Sequence, residues 1–97
     1  MPELAEGLTD AVPDVRASVA AALIQVGPEA REAVGRLATV LATDSAVRVR
    51  ELAAKALGRI GSAAQSAIPT LTAASEGDPA EEVRRAALDA LRDVRGR

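Results

Sequence analysis

The chain has 97 residues, 48% of them hydrophobic, which is enough for one domain with a modest core. It holds no Phe, Trp, Tyr, Cys or His, which excludes disulfides, thiolate or imidazole metal sites and the commonest general base. Twelve basic against 14 acidic residues give a net charge of −2, which argues against nucleic acid, whose readers are strongly basic.

The N-terminal residues Pro2, Glu3 and Glu6 lack the basic and apolar regions of a signal peptide. No apolar run approaches the roughly 18 residues of a membrane span, so no membrane partner is expected, and the expected location is cytoplasmic. Residues 2–9 predict a short opening helix with Leu4 and Leu8 inward and Glu3 and Glu6 outward, a polar-faced cap. Ala and Leu are abundant through the rest of the chain, and both are strong helix formers.

The second element carries Val15, Val19, Ala22, Leu23 and Val26, an apolar stripe at the helical period. Gly27 followed by Pro28 is a helix stop and a helix start. Residues 28–43 place Ala30, Val34, Leu37 and Leu41 on one face of the next helix. The stripe then returns as Val49, Ala53, Ala56, Leu57 and Ile60. After Gly61, Ser62 is placed to cap a helix bearing Ala64, Ile68 and Leu71, with Ser75 where Leu41 stood. Pro69 falls inside this helix in the column of Gly35; because the apolar face runs through it, the sequence predicts a kink there and not an end. Val83, Ala87, Ala90, Leu91 and Val94 form the last stripe.

These elements repeat every 34 residues. Val15-Arg16, Val49-Arg50 and Val83-Arg84 keep that interval, as do Asp10, Asp44 and Asp78. So do Leu23, Leu57 and Leu91. The chain therefore divides into three two-helix units, at about residues 1–26, 27–60 and 61–97, within a single domain over 1–97. Alanine in the middle of every second helix implies close approach of neighbouring backbones there.

Asp44, Val49-Arg50, Ala53-Ala54, Ala56-Leu57-Gly58-Arg59-Ile60-Gly61 and Ala67-Ile68-Pro69 with Leu71 together resemble HEAT-like repeats, of the short bacterial class also found in phycobilin lyases. The 34-residue period is nominally that of the tetratricopeptide family, but its signature positions want aromatic residues and this chain has none. The resemblance implies an all-α fold, a right-handed α-solenoid whose second helices line a concave face for protein contacts. It does not imply lyase chemistry.

No Gly-rich phosphate loop, nucleophile elbow or metal-ligand cluster appears, so no enzyme, cofactor or metal site is expected. Glu29 with Glu32 and Glu81 with Glu82 open helices, where carboxylates suit the positive end of the dipole. A DNA glycosylase on this fold would need aromatic residues against the base. Arg16, Arg50 and Arg84 admit a binding reading, as a basic ladder, but are better explained by each pairing with the aspartate of its own turn, Asp10, Asp44 or Asp78. Moving one repeat along, Glu51 aligns with Arg85, Lys55 with Asp89 and Arg59 with Asp93, while Arg48 stands between Asp14 and Glu82. Such pairs would set the stacking register.

The expected function is a non-catalytic protein–protein interaction scaffold, free-standing or part of a longer array. Its partner-binding residues would be Arg50, Lys55, Arg59, Arg84, Arg85 and Arg92, and its partner another protein with an acidic surface. The alternative is a structural module that stacks head to tail through its end helices. Residues 1–44 hold 3 basic and 7 acidic groups, net −4, and residues 45–97 hold 9 and 7, net +2, so weak self-association is expected between unlike ends.

Overall fold

Each second helix begins from the same turn. Asp10 Oδ1 accepts the Val12 N–H, Asp44 Oδ1 the Ala46 N–H and Asp78 Oδ1 the Ala80 N–H, each at 2.9 Å. This two-residue clasp pins the chain where it turns out of one helix and into the next. The computed structural model describes residues 2–96; Met1 and Arg97, the limits of the expected domain, lie outside the described residues.

Helix α1, Pro2–Glu6, runs into a 3-10 turn at Gly7–Thr9, and α2 spans Pro13–Val26. A 3-10 segment, Gly27–Ala33, leads into α3, Val34–Thr43, and α4 spans Val47–Ile60. The pattern recurs with a 3-10 segment at Gly61–Ala67, α5 at Ile68–Gly77 and α6 at Glu81–Arg95. Helices α2 and α4 end at Gly27 and Gly61, with φ +73° and +77°, a backbone region that a side chain resists and glycine enters freely.

The expected continuous helix over 28–43 is two pieces. Ala30, at φ −83° and ψ 16°, breaks it, and Ala64, at φ −99° and ψ 20°, breaks the next copy in the same place. The expected bend in the last hairpin is present, but it falls ahead of Pro69 and has a different cause. The preceding copy bends identically with Gly35 in the proline's column. Pro69 sits in the first turn of α5, where a missing N–H costs nothing. The bend turns Ala30 and Ala33, then Ala64 and Ala67, fully into the core. Ser62 does not cap: neither 3-10 segment opens with a side-chain capping bond.

The helices pair as hairpins and the hairpins stack, with α4 in the middle, packed on α2, α3 and α6. Leu23, Leu57 and Leu91 are buried, as are Leu8, Leu37, Leu41 and Leu71 from the first helices. Ser75, in the column of Leu41, stays half-buried by donating to the Thr72 carbonyl at 2.8 Å. At the centre of the stack the alanine columns do bring backbones together. A Cβ on Gly58 would lie 3.1 Å from both the Cα and the Cβ of Ala90. One stripe residue departs from expectation. Val15 is 39% exposed, whereas Val49 and Val83 in its column are 1% and 0%. Val49 and Val83 lie on helices packed against the second helix of the hairpin before them, α4 on α2 and α6 on α4.

Candidate functional site

The Arg column is built differently from the expected pairing within one turn. Each arginine sits in the first turn of a second helix and reaches in two directions. Backwards, it satisfies its own turn through backbone: Arg16 Nη1 donates to the Asp10 carbonyl at 2.8 Å, Arg50 Nη1 to that of Asp44 at 2.8 Å and Arg84 Nη1 to that of Asp78 at 2.7 Å. Forwards, it takes the carboxylate of the following repeat. Arg16 Nε and Nη2 donate to Asp44 Oδ2 and Oδ1 at 2.7 and 3.0 Å, and Arg50 grips Asp78 the same way at 2.9 and 3.1 Å. The carboxylate partner is therefore 28 residues on, in the next turn, and not 6 residues back.

These two rungs are largely withdrawn from water, with side-chain exposures of 13% and 6% for Arg16 and Asp44, and 11% and 7% for Arg50 and Asp78. Burial works to raise both carboxyls, but the arginine hydrogen bonds, the Ala46 or Ala80 N–H and the nearby guanidinium charges outweigh it. Asp44 and Asp78 are thus held below the ordinary aspartate range. The bidentate hydrogen bonds that Arg16 and Arg50 donate to these carboxylates in turn hold both guanidinium groups above their ordinary range. The rungs lock successive hairpins at a fixed offset.

Of the expected binding residues, Arg50 is consumed in a rung and Arg84 in its own turn. The other four are exposed on the second helices. Lys55 and Arg85 border an open groove between α4 and α6 together with Glu51, Glu81 and Asp89. The groove continues past Gly58 to Arg59 and Asp93. Arg92 lies just outside it and holds Asp89, one of its walls, at 3.4 Å.

The expected pairing across repeats is not what Glu51, Lys55 and Asp89 do. Glu51 holds Arg48 at 3.5 Å and Lys55 at 3.4 Å, both on its own helix, and Arg85 holds Glu81 at 3.4 Å. Arg48 likewise turns to Glu51 and not to Asp14 or Glu82. Neighbours three or four residues apart on one helix are within easy reach, whereas a pair between helices must span the groove. Arg59 and Asp93 border the same stretch of it. Sequence reasoning missed the second role of Asp44 and Asp78, as clasps of their own turns; the signal was an aspartate two residues before the helix entry in every copy.

Stacked helical hairpins locked by a periodic Arg–Asp rung define an α-solenoid repeat protein. The HEAT repeats family model matches residues 1–92, and the chain belongs to that family. HEAT repeats are commonly protein-interaction scaffolds and generally non-catalytic. No curated protein matches the chain. Among the described residues no helix is long and apolar enough to cross a membrane.

Proposed function

We propose that this chain is a cytoplasmic protein-interaction scaffold whose contact surface is the α4–α6 groove and its rim. The observation that carries this reading is the placement of Lys55, Arg59, Arg85 and Arg92 at exposed positions of two adjoining helices, with Lys55, Arg85 and Arg92 held only by weak partners. Their ion pairs are intrahelical and 3.4 Å long, with the cation open to solvent, the kind that contributes about 0–1 kcal/mol and is surrendered cheaply. A partner's carboxylates can replace Glu51, Glu81 and Asp89 on these cations while the buried rungs stay intact. Arg50 then supports the surface without touching the partner. Arginine is also the one residue type here that favours strong interface contacts, since Trp and Tyr are absent.

The test is affinity capture with wild type, with Lys55→Glu/Arg59→Glu/Arg85→Glu/Arg92→Glu, and with Arg31→Glu/Arg36→Glu on the first-helix side. Proteins retained by the wild type and the first-helix variant but lost by the quadruple variant support the groove. Equal retention by all three overturns it.

A further inference from the structure

We infer that the α4–α6 groove takes a three-turn helix of a partner, anchored by one large apolar side chain over Gly58 and basic, acidic and basic again along its length. This rests on the scaffold reading above and names the chemistry of what the groove holds.

Shape selects a helix. From Glu81 to Asp93 the α6 wall of the groove spans about 18 Å at the rise of an α-helix, the length of about three turns. Both walls are helices, whose backbone groups are bonded within themselves, so no edge is offered to an extended strand. An occupant must bring its own backbone hydrogen bonds, and a helix does. A repeat added after α6 would stack on its far side, as α6 stacks on α4, and would leave the groove open.

The floor supplies the anchor point. Gly58, Ala86 and Ala90 are buried beneath it, Ile24 of α2 closes one side, and the hollow among them holds about 220 Å³. The column of Gly58 holds Ile24 in the repeat before and Arg92 in the repeat after, so the central helix alone leaves its place on the floor empty. Strong contacts centre on large side chains seated in pockets, and this chain has no Phe, Trp or Tyr to supply one. The anchor therefore comes from the partner, as a side chain the size of leucine or phenylalanine.

Charge fixes the rest of that helix. Glu51, Glu81 and Glu82 stand at the end of the groove nearest the helix starts, Lys55 and Arg85 in the middle, and Asp89 and Asp93 with Arg59 beyond them. Five carboxylates against three cations give the lining a net charge of −2, so a wholly acidic segment is repelled at both ends while it is drawn to the centre. Carboxylates that take Lys55 and Arg85 also strip Glu51 of Lys55 and Glu81 of Arg85, and both then need cations in return. A helix with basic outer turns and an acidic middle turn meets each stretch with the opposite sign. Residues three or four apart share a helix face, so the anchor and all three charged turns can stand on the same side. The acidic surface expected of the partner thus narrows to one turn.

Amide NMR titration of the full chain tests this with three synthetic peptides of about 15 residues, each locked helical by a hydrocarbon staple on its outward face. The first carries Lys in its outer turns, Glu in its middle turn and a Phe anchor. The second exchanges Lys and Glu, and the third replaces Phe by Ala. The first is expected to shift the amides of Gly58, Ala86 and Ala90 and to bind at least about tenfold more tightly than either of the others. Lys55→Glu/Arg85→Glu, at two exposed positions, is expected to weaken the first peptide about tenfold while circular dichroism shows an unchanged fold. Equal or tighter binding of the second or third peptide overturns the proposal. So do shifts confined to α3 and α5, or no shift at all with the first peptide at millimolar concentration. If the affinity capture above still favours the groove after such a result, the scaffold reading stands and its occupant has other chemistry.

Discussion

Val15 and Val49 occupy the same place in successive repeats and begin helices of equal length, yet one is 39% exposed and the other 1%. Arg50 and Arg84 differ in the same way: both close their own turn, and only Arg50 has a carboxylate ahead of it. A residue's environment in a stacked repeat is set as much by its neighbouring repeats as by its own. Stability therefore concentrates in the central hairpin, where both sides are covered.

The sharpest way to break that comparison is to delete the same kind of side chain in the middle and at the end. Leu57→Ala, fully buried in α4, is expected to cost about 2–5 kcal/mol. Leu88→Ala, half-exposed on α6, is expected to cost under about 1 kcal/mol. Urea unfolding of the two variants measures this, and equal losses place the core elsewhere.

The rungs offer the next contrast. Arg50→Ala strips Asp78 of a bidentate partner in a site nearly closed to water, and an expected loss of about 2–3 kcal/mol follows from charged hydrogen bonds broken on one side. Arg84→Ala removes a guanidinium bonded only to a carbonyl, and about 1 kcal/mol is expected. Thermal melts of the two proteins rank them.

Glycine gives a smaller contrast with a change of sign. Gly58→Ala forces a methyl to 3.1 Å from the Ala90 backbone and is expected to destabilise by about 1–3 kcal/mol. Gly35→Ala, in the first turn of α3 with nothing within 4 Å, is expected to stabilise by about 0.5–1 kcal/mol by stiffening the unfolded chain.

Acid probes both rungs together. Because Asp44 and Asp78 titrate below the ordinary aspartate value of 3.8 in the folded protein, the stability they contribute is complete above that value and is lost as pH falls through their lowered folded values. The melting midpoint is expected to fall on acidification below about pH 4. In Asp44→Asn/Asp78→Asn the decline over the same range is shallower, though the starting midpoint is lower. An unchanged slope removes the rungs from the acid response.

Most of the helical skeleton was legible because the stripes repeat in one register and the glycines stop helices where φ turns positive. The break at Ala30 and Ala64 was not, since alanine carries no local signal for leaving the α-helix and the bend serves packing against the neighbouring hairpin. The rung partner was misassigned for a related reason: an aspartate 6 residues back and one 28 residues on look alike until the offset between hairpins is known. The exposed cations were legible as exposed, but their partners were not. A long side chain chooses between its own helix and the one across the groove by fractions of a kcal/mol.

The close approach at Gly58 and Ala90 also shapes the stack as a whole. The second helices α4 and α6 meet far more extensively than the first helices α3 and α5, so each hairpin is a wedge with its thin edge on the second-helix side. Wedges laid edge to edge describe an arc, and its inner surface is the α4–α6 groove. Bending tightens at that thin edge first, so a bulkier residue in place of Gly58 would open the curve as well as weaken the joint. One hydrogen atom in place of a methyl thereby helps to set the radius to which any partner cradled inside must conform.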